Sequence, residues 1–218
     1  MCGRFAFYSP SEATAALFGA SGSVPVEARY NIAPTQYVAA VRNNEEDGRE
    51  LVMLRWGLVP FWAKEPAIGN RMINARAETV AEKPAFRAAF RKRRCLVLAD
   101  GFYEWHREGS TKTPYYISAA DGEPFAFAAL WETWKSKDSD DSIQSTTLIT
   151  TEADDFMASM HHRMPVVLRA ESADRWLGGD DDLVRYAAEL GPEMRAWPVD
   201  RRVNNARNEG ADLIEAAS

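Results

Sequence analysis

The sequence predicts an α+β fold built around a curved, mostly antiparallel sheet with peripheral helices, and three observations lead there. Apolar runs of strand length recur at 37–42, 51–58, 95–105, 113–118, 125–133, 146–151 and 165–168, alternating or continuous as half-buried and fully buried strands are. Helical patterns are fewer and shorter, and they do not alternate with the strands as a doubly wound sheet requires. No Pro/Gly/Ser linker, internal repeat or low-complexity tract divides the 218 residues. Residues 1–218 are therefore expected to form one domain.

The elements follow in chain order. Phe5-Ala6-Phe7 alternates like the start of a strand or turn. Ser9-Pro10-Ser11-Glu12 reads as a helix start, with Ser9 as N-cap, Pro10 in the first helical position and Glu12 completing a capping box. Ala16 and Leu17 would form its apolar side, and Gly19 or Gly22 its end. The acidic stretches 43–49 and 135–144 lie between paired apolar runs and read as exposed hairpin loops. Further helices are expected at 84–92, at 173–177 before Gly178-Gly179, and at 183–190 before Gly191, where the glycines suit C-terminal stops.

Composition narrows the function. The absence of a run of about 18 apolar residues argues against membrane spans, and the start MCGRFAFYSP has neither the basic nor the apolar region of a secretion signal. A cytoplasmic protein is expected. Cys2 and Cys95 form no CxxC pair and no HxxxH accompanies them, so neither a disulfide framework nor a zinc site is expected. The net charge of −6 opposes bulk coating of nucleic acid. Three short acidic windows hold nine of the 32 acids, however, and the remainder carries 26 basic against 23 acidic residues. Arginine outnumbers lysine 20 to 6, and arginine grips phosphate with a planar, bidentate fork.

Cys2 is the most informative residue. Removal of Met1 would leave an α-amine and a thiol on adjacent carbons, able to condense with an aldehyde and close a thiazolidine ring. The amine, with an ordinary pKa of about 7.7–8.0, is partly free base near neutrality, whereas the thiol needs help to ionise. Taken alone, Cys2 packs equally well as a small hydrophobe. Gly3 would let the terminus bend with positive φ, and Arg4 would set a cation beside the nucleophile. Asn74 offers a neutral amide that holds a carbonyl or orients an amine, or else a turn residue. Glu104, between Tyr103 and Trp105, is a carboxylate whose neighbours would desolvate it into the working range of an acid or base, unless its strand face points outward. His161 and His162 precede a strand, and adjacent side chains point apart, so one of the two is expected to face the site. In Trp56-Gly57-Leu58-Val59-Pro60-Phe61-Trp62, large aromatics at the end of an apolar run suit either a core or stacking on unpaired bases.

Together, MCGRF, RYNIAPTQ at 29–36, WGLVPFW, INARAET, CLVLADGFYEW, HHRMPVVL and VNNARNEG at 203–210 span nearly the whole chain. In this order and spacing they resemble the SRAP family, the SOS-response-associated peptidase-like proteins that bond covalently to abasic sites in DNA. The resemblance implies a barrel-like mixed sheet and a positively charged cleft for single-stranded DNA carrying abasic sites, including single-strand/double-strand junctions. It makes Cys2 the crosslinking nucleophile, Asn74 a positioning group, Glu104 the proton-transfer carboxylate and His161 its partner, with His162 standing where relatives commonly have Asp. It assigns Arg4, Arg76 and Arg163 to DNA phosphates, and Pro34, Phe61, Trp62 and Trp105 to the cleft lining or to a wedge between bases. No cofactor or metal is implied, and a monomer associated with the nucleoid when bound to DNA is expected.

The chemistry and the resemblance meet in one enzymatic mechanism. The Cys2 amine attacks the ring-opened sugar aldehyde, His161 and Glu104 move the protons, and the thiol closes the ring, with weak lyase activity accessible from the intermediate imine. Two other classes compete. One is an N-terminal-nucleophile peptidase or amidohydrolase that attacks amides, its own N-terminus included. The other is a noncatalytic single-strand binding module indifferent to Cys2→Ala.

Overall fold

The computed structural model describes residues 2–22, 24–44, 46, 48–182 and 191–217. Its strands are β1 (Phe5–Phe7), β2 (Arg29–Ile32), β3 (Tyr37–Asn43), β4 (Arg49–Trp56), β5 (Asn74–Arg76), β6 (Arg94–Ala99), β7 (Gly101–Glu108), β8 (Thr111–Ala119), β9 (Phe125–Lys135), β10 (Ser142–Glu152), β11 (Arg163–Pro165), β12 (Val167–Leu168) and β13 (Met194–Pro198). The α-helices are α1 (Ser11–Leu17), α2 (Arg87–Lys92), α3 (Asp155–Ala158) and α4 (Ala170–Leu177), with 3-10 turns at Pro66–Arg71, Arg201–Asn204 and Ala211–Ile214. No helix among the described residues is long and apolar enough to cross a membrane.

The strands form two sheets. In one, β10 runs parallel to β4, antiparallel pairing continues through β3, β6 and β9, and β9 returns to β10. This closes a five-stranded mixed barrel, and closure leaves its strands no open edge. The other sheet is antiparallel, in the order β13-β8-β7-β1-β2. Strand alternation welds the two together. Phe125 and Phe127 lie two apart on β9, hence on one face, and Phe127 meets Phe5 and Phe102 of the second sheet at 5.5 and 6.0 Å in edge-to-face geometry. Phe5 also packs on Trp56 at 5.2 Å, so β1 is wedged against the barrel wall by aromatic contact.

The expected α+β fold with a barrel-like mixed sheet is present, with local corrections. The apolar run 95–105 is two strands in different sheets, β6 and β7, because the chain breaks at Asp100. The buried Asp100 carboxylate accepts hydrogen bonds from the Tyr8 N–H (2.6 Å), the Ser9 N–H (2.8 Å) and the Ser9 hydroxyl (2.5 Å). Ser9 is thereby spent on Asp100 and does not cap α1, whose N-cap position falls at Pro10 without a side-chain bond. The helix buries Thr14 and Ala15 with the following Phe18, not Ala16 and Leu17, and it ends at Gly19 with φ of 72°. The run 165–168 is split between β11 and β12, while β2, β5 and β13 are short, polar-studded strands that periodicity does not reveal. The expected helix at 183–190 lies outside the described residues.

Asp100 holds the start of the chain against β7. Asp100→Ala is expected to lower the free energy of unfolding by about 3 kcal/mol in denaturant titration, the scale for stranding buried donors. Asp100→Asn, which keeps one acceptor oxygen, should cost less.

Candidate active site

Backbone register brings the first pair of groups together. β1 pairs with β7 at Phe5↔Phe102 and Ala6↔Gly101, and the Tyr103 N–H donates to the Arg4 carbonyl at 2.9 Å. One residue further, the same register sets Gly3 across from Glu104, which puts Cys2 beside that carboxylate. Gly3 does this without the positive φ expected of it. Cys2 and Glu104 are both buried, at 0% and 3% exposure.

The second pair comes from strands on β10. β5 runs parallel to it with Asn74 at Leu148, and β11 antiparallel with Arg163 at Glu152. Asn74 is a strand residue, not a turn, and its Nδ2 donates to the Cys2 carbonyl at 2.8 Å. Its Oδ1 is buried and accepts nothing among the described residues. His161 sits just before β11, half-buried, with Nδ1 accepting the Arg163 N–H at 2.9 Å. The same Nδ1 lies 3.2 Å from the Arg163 carbonyl, so the Arg163 backbone presents it with both a donor and an acceptor and seats the ring in its neutral and its charged form.

Electrostatics couples these groups. Burial pushes the Cys2 thiol well above its ordinary pKa, and the Glu104 charge raises it further. Burial lowers the pKa of His161, while Glu104 opposes that shift by favouring the imidazolium. Glu104 therefore acts on both the sulfur and the imidazole. His162 does not point away as expected, since its ring stacks on His161 at 4.3 Å and 24°. It is exposed, and His161 is the histidine coupled to Glu104.

The arginines separate into different roles. Arg76 is exposed on β5, on the same strand face as Asn74. Arg4 is half-buried, and its Nη1 donates to Asn31 Oδ1 (2.7 Å) and the Val203 carbonyl (2.8 Å). Arg163, assigned to a phosphate by the resemblance, is buried with its fork on Glu78, Nη1 to Oε1 at 2.7 Å and Nη2 to Oε2 at 2.9 Å. In this structure its charge is answered by the protein's own carboxylate.

Among the aromatics, Phe61 and Trp62 are 58% and 46% exposed, whereas Trp56 is buried with its indole N–H on the Ile73 carbonyl. Gly57, at φ of 121°, starts their loop, and a Cβ there would stand 2.6 Å from the Gly69 carbonyl oxygen. Pro34 is half-buried beside Thr35, a non-glycine residue at φ of 76°. Trp105 follows Glu104 on β7 and so points to the opposite face, where its N–H donates to Asn204 Oδ1 at 2.7 Å. It braces the C-terminal segment.

Sequence reasoning missed Asn31, Glu78 and Thr150. Asn31 is buried, and besides accepting from Arg4 it donates to the Asn205 and Asn208 carbonyls. The asparagines of RYNIAPTQ and VNNARNEG thus dock two motifs distant in sequence. Glu78 was legible only as the counter-charge that a buried Arg163 demands.

Residues 1–206 match the family described as SOS response associated peptidase (SRAP). The chain belongs to that family. Its SRAP relatives include the abasic site processing protein YoaM of Bacillus subtilis, 40% identical with 99% of this chain and 98% of that protein covered. The abasic site processing protein YedK of Escherichia coli is 32% identical, with 99% of both covered. Among solved structures, a protein from Bacteroides thetaiotaomicron superposes with a TM-score of 0.86 at 25% identity, covering both chains completely.

Since Glu104 repels a neighbouring thiolate, Glu104→Gln should move the Cys2 titration to lower pH. Ultraviolet thiolate absorbance, taken as the difference from Cys2→Ser, measures it. An unchanged titration would place the carboxylate out of electrostatic reach of the sulfur.

Proposed function

We propose that this SRAP protein senses abasic sites in single-stranded DNA and bonds to them covalently through Cys2 after Met1 is removed. The reading rests on the placement of Cys2, with its carbonyl on Asn74 and its sulfur beside Glu104. The relatives named abasic site processing proteins support the substrate.

The steps balance without a cofactor. The Cys2 amine attacks C1′ of the ring-opened sugar, forming a C–N bond while the carbonyl electrons pass to oxygen, and a proton then passes from that nitrogen to the oxygen to leave a neutral carbinolamine. His161 in its imidazolium form, which Glu104 favours, donates from Nε2 to the departing hydroxyl, water leaves as the nitrogen lone pair forms the iminium, and the thiol proton next taken by Glu104 returns to His161 at the end of the cycle. Glu104 takes the thiol proton, and sulfur then bonds to C1′ as the nitrogen recovers its electron pair. The product is a thiazolidine plus one water. The buried acceptor Asn74 Oδ1 suits a donor from the amine or the opened sugar. Ring closure removes the iminium that strand-cleaving elimination needs, so lyase activity would be weak.

Arg76 and the outer part of Arg4 would hold phosphates without reading sequence, while Phe61 and Trp62 would meet unstacked bases. A buried, protonated thiol is poorly suited to attack unactivated amides on other chains. This disfavours a general peptidase.

Mixed with abasic single-stranded DNA, the mature protein should give a denaturation-resistant adduct whose mass is protein plus oligonucleotide minus water. Cys2→Ala should abolish it and Cys2→Ser weaken it, because an oxazolidine is less stable. Glu104→Gln and His161→Ala should still bind the DNA but slow crosslinking about a hundredfold, the usual scale for losing a general acid or base. An equally abundant, equally stable adduct from Cys2→Ala would refute the assignment.

A further inference from the structure

We propose that Glu78 is a positioning residue for His161, acting through Arg163; the inference rests on the crosslinking function proposed above. Glu78 grips both terminal nitrogens of Arg163, and Nη2 also donates to the Thr150 carbonyl at 2.7 Å. The Arg163 side chain is 8% exposed against 43% for Glu78, so a surface carboxylate holds down a buried cation. The consequence lies in the backbone of the same arginine, because its N–H is the donor to His161 Nδ1. Fixing the guanidinium between Glu78 and β10 fixes that N–H and the Arg163 carbonyl 3.2 Å from the same nitrogen, and the two together set where Nε2 of the ring points.

Without Glu78, Arg163 would lose its counter-charge and swing toward water or phosphate, and β11 would lose its side-chain anchor on Thr150. The His161 ring would then lose its fixed orientation, and Nε2 its aim at the reacting carbon. The ion pair thus does for the histidine what an orienting carboxylate does directly in other acid–base sites, with one arginine interposed. Glu78 needs no contact with DNA for this role.

Two measurements on the full, Met1-free chain test it. The first is the single-turnover crosslinking rate against concentration of abasic single-stranded DNA. Glu78→Ala should lower the saturating rate about tenfold, less than the roughly hundredfold expected for His161→Ala, and leave the half-saturating concentration unchanged. Glu78→Gln, which keeps one acceptor oxygen, should fall between. Glu78→Ala combined with His161→Ala should be no slower than His161→Ala alone. The second is the relaxation of the His161 ring resonances without DNA, which should report one fixed ring in the unsubstituted protein and a mobile ring in Glu78→Ala.

Multiplying effects in the double variant, or a ring that stays equally fixed in Glu78→Ala, would overturn the proposal. So would a Glu78→Ala protein with unchanged rate and tighter DNA binding, which would make Glu78 a mask over a phosphate-binding Arg163. If Glu78→Ala fails to fold by circular dichroism, Glu78→Gln carries both measurements. Should the unsubstituted protein form no adduct, the crosslinking function itself fails, and the ring resonances still decide whether Glu78 orients His161.

Discussion

Donors from Tyr8 and Ser9 converge on the buried carboxylate of Asp100, and the position of Cys2 depends on that convergence. Asp100 ends a barrel strand and turns the chain into the second sheet, so the residue that breaks the run 95–105 also captures the strand on which the nucleophile rides. β1 is only three residues long and has little pairing strength of its own. Its place comes from Asp100 at one end, from Asn74 on the Cys2 carbonyl at the other, and from the contacts of Phe5 with Trp56 and Phe127 between them. A terminus, usually the least ordered part of a domain, is here tied down by side chains from three other strands.

This anchoring creates a chemical tension. Seating Cys2 in the apolar junction of the two sheets holds its sulfur protonated, and the nearby Glu104 holds it more so. The same carboxylate is the group best placed to accept the thiol proton when an electrophile arrives. Under the proposed function, a thiol that rests protonated and gives up its proton as the aldehyde binds would suit a nucleophile meant for a rare lesion. Asn74 and Arg163 keep this arrangement in register from the β10 side: one holds the backbone of Cys2, the other seats the ring of His161.

The long strands were legible because β3, β4, β8, β9 and β10 carry extended apolar periodicity. β2 and β5 were not, since three or four residues with Arg and Asn among them carry no period. Ser9 misled for a definable reason. Its sequence fits a cap, and a tertiary acceptor 91 residues away draws its hydroxyl off the helix N–H groups that a cap would serve. Cys2, Asn74, Glu104 and His161 could be named from residue chemistry and motif order. What Arg4, Arg163 and Trp105 touch could not, because each is satisfied by a partner far along the chain: Asn31, Glu78 and Asn204. The stacking of His161 on His162 was hidden too, because β11 begins only after them and strand alternation does not yet apply.

In the proposed adduct, one carbon of the lesion is bonded to both the nitrogen and the sulfur of Cys2. An abasic oligonucleotide isotope-labelled at C1′, bound to protein labelled at the Cys2 nitrogen, tests it most directly by magnetic resonance. A saturated C1′ resonance coupled to the Cys2 nitrogen, with a shift appropriate to attached sulfur, is the predicted result. An imine carbon, or a C1′ signal with no coupling to that nitrogen, would contradict it.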